Sequence, residues 1–276
     1  MRDRPPLKTL NTWAQIREKC VLLEDDAALV LNKPAGLSVV GERHDTDLVR
    51  MAQDCGEQLF PVHRIDKVTS GAILLAKELR FHGDLTRQFN RRSVDKVYLA
   101  LVHSPGLPAQ GTIELPLSEG RKNRVRVAAQ RGDIAADDSA GRWSVAPSDV
   151  FTHVRTYPSI TTFFRVWEDE QHSLLVVRPL TGRRHQIRVH LAWIGHSIQG
   201  DPLFDKDLAA RGARTFLHSW RLGFDAAWSG GRRIDVEAAP GDDFWATIGE
   251  RLPGGSPAAV IEQARHRITQ GADTTP

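Results

Sequence analysis

What this chain has little of narrows the field first. Its two cysteines, Cys20 and Cys55, share no metal-type spacing and read as reduced thiols rather than a disulfide framework. The longest apolar runs are short pieces such as ALVLN and AILLA, far below the roughly 20 residues of a membrane-crossing helix. The first residues, MRDRPPLKTLNTW, are charged and lack the apolar centre of a signal peptide. These absences point to a cytoplasmic protein with no membrane contact. A glycine-rich phosphate loop, a dinucleotide fingerprint after a strand and a G-x-S-x-G elbow are all missing. His185 and His190 stand five apart, off a common helical face, and no Glu follows a His in the zinc-protease manner. Nothing requires a metal or an organic cofactor.

A large net charge is also missing. The 37 basic and 34 acidic residues leave only +3, too mild to indicate a nucleic-acid partner. The distribution says more: basic residues bunch in RQFNRRS (87–93), GRKNRVRV (120–127) and GRRHQIRVH (182–190). One such cluster reads as a solvated face. Three of them, two beside conspicuous motifs, favour a phosphate-rich ligand.

What is present is an ordinary globular balance, 41% hydrophobic and 26% charged over 276 residues, enough for one large core or two modest domains. A short helix is expected over 12–19, capped by Asn11 or Thr12. Strands are expected at 21–23 and 29–31, then a loop broken by Pro34 and Gly36 with Lys33 at its edge. Further helices are expected over 46–55 and 78–90, the latter with Leu79, Leu85 and Phe89 apolar. Residues 72–76 and 94–102 read as strands, and GTIELPL and RVRVAA as two more. Residues 128–149, rich in Asp, Ala, Ser and Gly, read as a long loop or poorly ordered insertion. A hairpin is expected from 161–166 and 173–177. A loop entering a helix follows over 182–194, then strands at 215–224 and 232–237 and helices over 242–252 and 258–271. The fold class is α+β, without the regular βα alternation of a doubly wound sheet.

Two stretches carry chemistry. PVHRIDKVTSGAILLAK (61–77) sets one acid, Asp66, between Arg64 and Lys67, before a small turn and a buried strand. Taken alone it is a charged turn. The rigid strand behind it is what a catalytic group needs in order to be held to small tolerances. RPLTGRRHQIRVHLAWIGHSIQGD (178–201) packs Arg183, Arg184, His185, Gln186, Arg188 and His190 together. It reads either as a basic surface helix or as a helix start at Thr181-Gly182 that favours anions.

Taken together, LNKPAGLSV, HRIDKVTSGAILLAK, KVYLALV, LTGRRHQIRVHL with GHSIQGD, and RTFLHSWRLGF resemble the ordered motif set of the RluA-type pseudouridine synthases, over roughly 29–224. The resemblance implies a mixed, largely antiparallel central sheet flanked by helices and loops. It implies a catalytic domain at 21–252, between an N-terminal extension, 1–20, and a C-terminal extension, 253–276, partly helical or disordered. The small N-terminal RNA-binding domain of many family members is expected to be absent. Asp66 falls at the family's catalytic aspartate, Arg183 at the arginine paired with it, and Tyr98 at the tyrosine against the base, the candidate for removing its proton. Arg64 falls at the arginine that helps displace the target nucleotide. His63, Lys33, Thr69, Arg188, His185 and Gln186 are further candidates for substrate contact; for His63, Lys33 and Arg188 the alternative is holding the loops together. Ile65 stands for the commoner leucine, a tolerable change in volume.

The implied activity is conversion of uridine to pseudouridine in structured RNA, ribosomal or transfer, by a catalytic aspartate with base flipping and no cofactor. No obligate protein partner is evident, and a monomer is expected. The reading from a different class is a catalytically idle RNA-binding or RNA-folding factor on the same scaffold. A third is an N-glycosidase that cleaves without rejoining and would release free uracil.

Overall fold

A computed structural model describes residues 12–41, 47–103, 106–120, 124–137 and 139–272. In chain order the elements are α1 (Trp13–Cys20), β1 (Val21–Glu24), β2 (Ala28–Lys33), α2 (Leu48–Asp54), β3 (Phe60–Pro61), β4 (Ser70–Ala76), α3 (Leu79–Arg91) and β5 (Asp95–His103). Then come β6 (Gln110–Glu114), β7 (Leu117–Glu119), β8 (Val125–Val127), β9 (Ile134–Asp137), β10 (Arg142–Val145), β11 (Thr156–Tyr157), β12 (Ile160–Glu168) and β13 (His172–Pro179). The last are α4 (Gln186–Trp193), α5 (Lys206–Ala210), β14 (Leu217–Ala226), β15 (Arg232–Glu237), α6 (Asp242–Trp245) and α7 (Pro257–Ala272). Two compact units result: Met1–Tyr98 with Leu217–Phe244, and Leu99–Phe216 with Trp245–Pro276.

The first unit begins with α1. The Thr12 side chain accepts from the Gln15 amide while the Gln15 side chain accepts from the Thr12 amide, a reciprocal cap. Trp13, Ile16 and Cys20, at helical spacing, form the buried face. The sheet runs β1-β2-β4-β14, with β15 paired to β14 and β3 to β4. The β1–β2, β2–β4, β3–β4 and β14–β15 pairs are antiparallel and β4–β14 is parallel. All seven residues of β4 are buried, as its unbroken apolar run requires of a strand covered on both faces. Ala72, Leu74 and Ala76 face a core shared with Ala28, Val30, Leu85, Leu222, Phe224, Ile234 and Val236. Each of the larger side chains contributes about 1.5–3 kcal/mol of burial.

In the second unit, which takes β5 from Leu99 onward, the strand order is β5-β13-β12-β6-β10-β9, beside a separate ribbon β11-β7-β8. The β12–β13, β12–β6 and β9–β10 pairs are antiparallel and β6–β10 is parallel. Each unit thus carries mixed, mostly antiparallel sheet with flanking helices, as expected from the sequence.

Several local expectations change. Residues 128–149 are not a featureless loop: β9 and β10 form a hairpin, and β10 joins β6. Their sequences, IAAD and RWSV, are too short and too small-residued to announce strands; Trp143, 8% exposed and tilted on Phe163, anchors them. Over 182–194 a loop does enter a helix as expected, but the helix begins at Gln186, after His185 at φ 54°, ψ 16°, so Thr181-Gly182 is not its N-terminus. That helix is no surface element either, since Gln186 to Ala192 are all buried. Leu79 faces outward, 67% exposed. Residues 242–252 hold only the four-residue α6 and a single 3-10 turn, Gly249–Arg251.

Candidate active site

In the first unit the site grows from the start of β4. The Thr69 amide donates to the Asp66 carbonyl at 3.0 Å, closing a tight turn ahead of the strand. Asp66 is half-buried and Arg64 exposed, while Thr69 is buried. Beneath the turn, Lys33 is fully buried. Its ammonium donates to the carbonyls of Pro34 (2.9 Å), Leu37 (2.7 Å) and Lys67 (3.4 Å). Gly36 N also donates to Lys67 O, at 2.7 Å. Lys33 therefore clamps the 34–37 loop to the residue after Asp66, the loop-holding half of what its sequence suggested.

His63 serves the scaffold as well. Its Nε2 accepts from Leu74 N at 3.0 Å, so the ring proton sits on Nδ1. The ring stacks on Phe89, centroids 4.3 Å apart and planes 15° apart. Burial, aided by the Lys96 charge, pushes its pKa down to about 3, so the imidazole is neutral at physiological pH.

At the β4–β14 junction Ser70 pairs with His218 and Gly71 with Ser219. Gly71 has φ +106°, and a Cβ there would lie 2.2 Å from Ser219 O; only glycine lets the two backbones approach this closely. His218 Nε2 donates to Ala238 O at 2.9 Å, so its Nδ1 accepts from the Ser70 hydroxyl at 2.8 Å. Both side chains are buried. Ser219 is hydrogen-bonded to Tyr98, and burial, with a further push from the Asp66 charge, raises the Tyr98 phenol to about 12. Asp66 and Tyr98 are thus electrostatically coupled within one unit. His218 and Ser219 lay inside RTFLHSWRLGF, but a His-Ser pair in an apolar strand has no chemical signature of its own.

In the second unit the 181–186 turn is pinned by Gln186. Its Oε1 accepts from Thr181 Oγ1 (2.7 Å) and Arg183 N (3.0 Å), and its Nε2 donates to Ile160 O (2.9 Å) and Thr161 Oγ1 (3.0 Å). His185 supplies the left-handed residue, a conformation non-glycine residues adopt at some cost. Arg183 is half-buried, its guanidinium 5.2 Å from the Tyr157 ring centroid, with Arg155 at 5.1 Å from the same ring. Among the described residues Arg183 Nε has no hydrogen-bond partner. Arg188, 4% exposed, makes a bidentate pair with Asp201 at 2.7 Å and 2.7 Å; its charge is directed inward. His190 is buried between Thr161 Oγ1 and Leu115 O, both at 3.0 Å, and burial lowers its pKa to about 4.

Comparison with known proteins gives this arrangement a family. Residues 27–193 match the family model described as RNA pseudouridylate synthase. The chain belongs to the RNA pseudouridylate synthase family, a family of isomerases. Ribosomal large subunit pseudouridine synthase D of Zymomonas mobilis is 33% identical over 245 residues, 81% of this chain and 70% of that protein. Dual-specificity RNA pseudouridine synthase RluA of Escherichia coli K12 is 33% identical over 208 residues, 73% of this chain and 84% of that one. Other curated pseudouridylate synthase relatives are matched over a smaller share, 61% and 56% of their own length in two cases. Among solved structures, human RNA pseudouridylate synthase domain containing 4 superposes with a TM-score of 0.67 at 22% identity, over 86% of this chain and 94% of that one. That likeness establishes the fold shared with the pseudouridylate synthases.

Proposed function

We propose that this chain isomerises uridine to pseudouridine in structured RNA, with Asp66 as the reactive carboxylate. What supports the reading is that one unit of a chain of this family holds both Asp66, in the turn ahead of β4, and the buried Tyr98, hydrogen-bonded to the Ser219 that faces Gly71 of β4. In the reaction the bond from C1′ of the ribose to N1 of uracil breaks. The base turns, C1′ joins C5, the C5 proton leaves and N1 ends protonated. Asp66 opens the first bond by attack on the nucleotide, and Tyr98 takes part in removing the C5 proton. Exposed Arg64 displaces the target nucleotide from its stack, a task a planar guanidinium suits. Arg183, at the position the resemblance pairs with the aspartate, carries its cation over the Tyr157 ring of the second unit. Thr69 sets the Asp66 turn, and Lys33, His63, His185, Gln186 and Arg188 keep the loops in shape. Several relatives are named ribosomal large subunit pseudouridine synthases, which makes ribosomal RNA the first candidate pool and transfer RNA the second. No cofactor takes part in this reading.

The test is tritium release from RNA labelled at uracil C5. Ribosomal and transfer RNA pools are incubated separately with wild type and with Asp66→Asn. Release by wild type, lost by at least about a thousandfold in Asp66→Asn while RNA binding persists, is the expected result. Turnover by Asp66→Asn near the wild-type rate removes Asp66 from the mechanism. Binding without release from either pool removes the isomerase reading.

A further inference from the structure

Lys96 opens the KVYLALV motif and has no part in the chemistry above. It stands two residues before Tyr98 on β5, so the two side chains leave the same face of the strand. Lys96 is half-buried. The neighbouring acid, Asp95, leaves the opposite face and pairs with Arg233. Among the described residues, neither the Lys96 ammonium nor the Arg92 guanidinium has a carboxylate or hydrogen-bond partner. Arg92, the C-cap of α3, stands four residues before Lys96 across the short link from α3 to β5, and its charge acts on Lys96 as that of Lys96 acts on His63. Arg92 also ends α3 at φ 60°, ψ 27°, a left-handed position where glycine or asparagine is the usual choice.

A half-buried cation beside a second cation, without an anion, costs stability. The Lys96 pKa is accordingly lowered, by burial first and by Arg92 second. Helix-terminus electrostatics account for a cation at the end of α3 but not for Lys96 on the strand. The Asp66 charge acts on Tyr98, but among the described residues no carboxylate pairs with Lys96 or Arg92, so the two cations are open to an anion from outside the chain.

We propose that Lys96 and Arg92 form a phosphodiester-binding site on the Tyr98 side of β5, gripping the backbone of the RNA next to the reacting uridine. The proposal rests on the RNA-isomerase reading for the identity of the anion. Bases differ from site to site but the phosphate does not, so this contact fixes register and carries no sequence information.

The experiment measures affinity for a fluorescein-labelled stem–loop RNA with a uridine-rich loop, by anisotropy, from about 50 to 300 mM KCl. Removing one phosphate contact lowers the slope of log K against log salt by about 0.7–0.9. Lys96→Gln and Arg92→Gln are each expected to show that loss, and Lys96→Arg to retain the wild-type slope. The thermal midpoint of Lys96→Gln is expected to equal or exceed that of wild type, since an unpaired charge has gone. A wild-type slope in both Gln variants overturns the proposal; so does a lowered midpoint in Lys96→Gln with an unchanged slope, which marks a structural lysine. Tritium release by the same wild-type preparation separates the two readings. A reduced slope without release supports the phosphate site and strikes the uridine chemistry, whereas release with unchanged slopes does the reverse.

Discussion

Tyr98 sits where proton transfer and burial pull in opposite directions. At about 12 its phenol is protonated throughout the neutral range, so it is no ready-made base in the free enzyme. Part of that elevation comes from the Asp66 charge, which disappears once the carboxylate is engaged in a bond to the nucleotide. The phenol then becomes the more acidic and shares its proton more readily with Ser219. Since kcat/KM reports ionisations of the free enzyme, Tyr98 and His63 are expected to leave it flat between about pH 6 and 9. A tenfold rise per pH unit across that range would mean that a pre-ionised phenol is required. Tyr98→Phe is expected to fold normally and to lose at least about a hundredfold in turnover. Asp66 drew attention through the rigid buried strand behind it, but taken alone it was a charged turn, and its proposed role came from the motif around it. Tyr98 was legible only through the motif around it, since a tyrosine within an apolar strand is by itself a core residue. For Lys33 and Arg188 the sequence left substrate contact and loop-holding both open; in the structure their charge is bonded to the protein's own carbonyls and to Asp201.

Among the elements, the β4–β14 pair does the positioning. Gly71→Ala places a methyl group against Ser219 O and demands φ +106° of a residue with a side chain. A destabilisation of about 2–4 kcal/mol is expected, read by urea denaturation. Activity should fall further than stability explains, because Ser219 also holds Tyr98. Loss of stability below about 1 kcal/mol would show that the strands part easily there. The elements most legible in the sequence were those with local signals, α1 with its Thr12 cap among them; α2 was expected over 46–55 with no cap named, and Asp47 caps it by accepting from Val49 N and Arg50 N. The hairpin β12–β13 was legible from its alternation, though it runs longer than expected, Thr161 pairing with Pro179. The β9–β10 hairpin and the burial of α4 were not. Both depend on partners distant in the chain, Thr112 to Glu114 and Thr161 among them, and local composition carries no trace of them.

On the scale of the whole molecule, the chain weaves through its two units twice. The first unit takes 1–98 and then 217–244, the second 99–216 and then 245–276. Neither is a contiguous piece, so neither is expected to survive excision. A fragment ending at Phe216 keeps β4 but lacks β14, which pairs with it, and β15, which pairs with β14; the two strands bring Leu222, Phe224, Ile234 and Val236 into its core. That fragment is expected to lack protected β4 amides in hydrogen exchange; protection equal to the full chain would show that β4 needs no far partner.

The same weave sets a clock. Ser70 and His218, hydrogen-bonded across the β4–β14 junction, are 148 residues apart. At about 5–20 residues per second of synthesis, β4 emerges roughly 7–30 s before the strand that covers it. For that interval the newborn chain presents SGAILLA with an open edge, and how many copies reach maturity depends on what shields that edge during the wait.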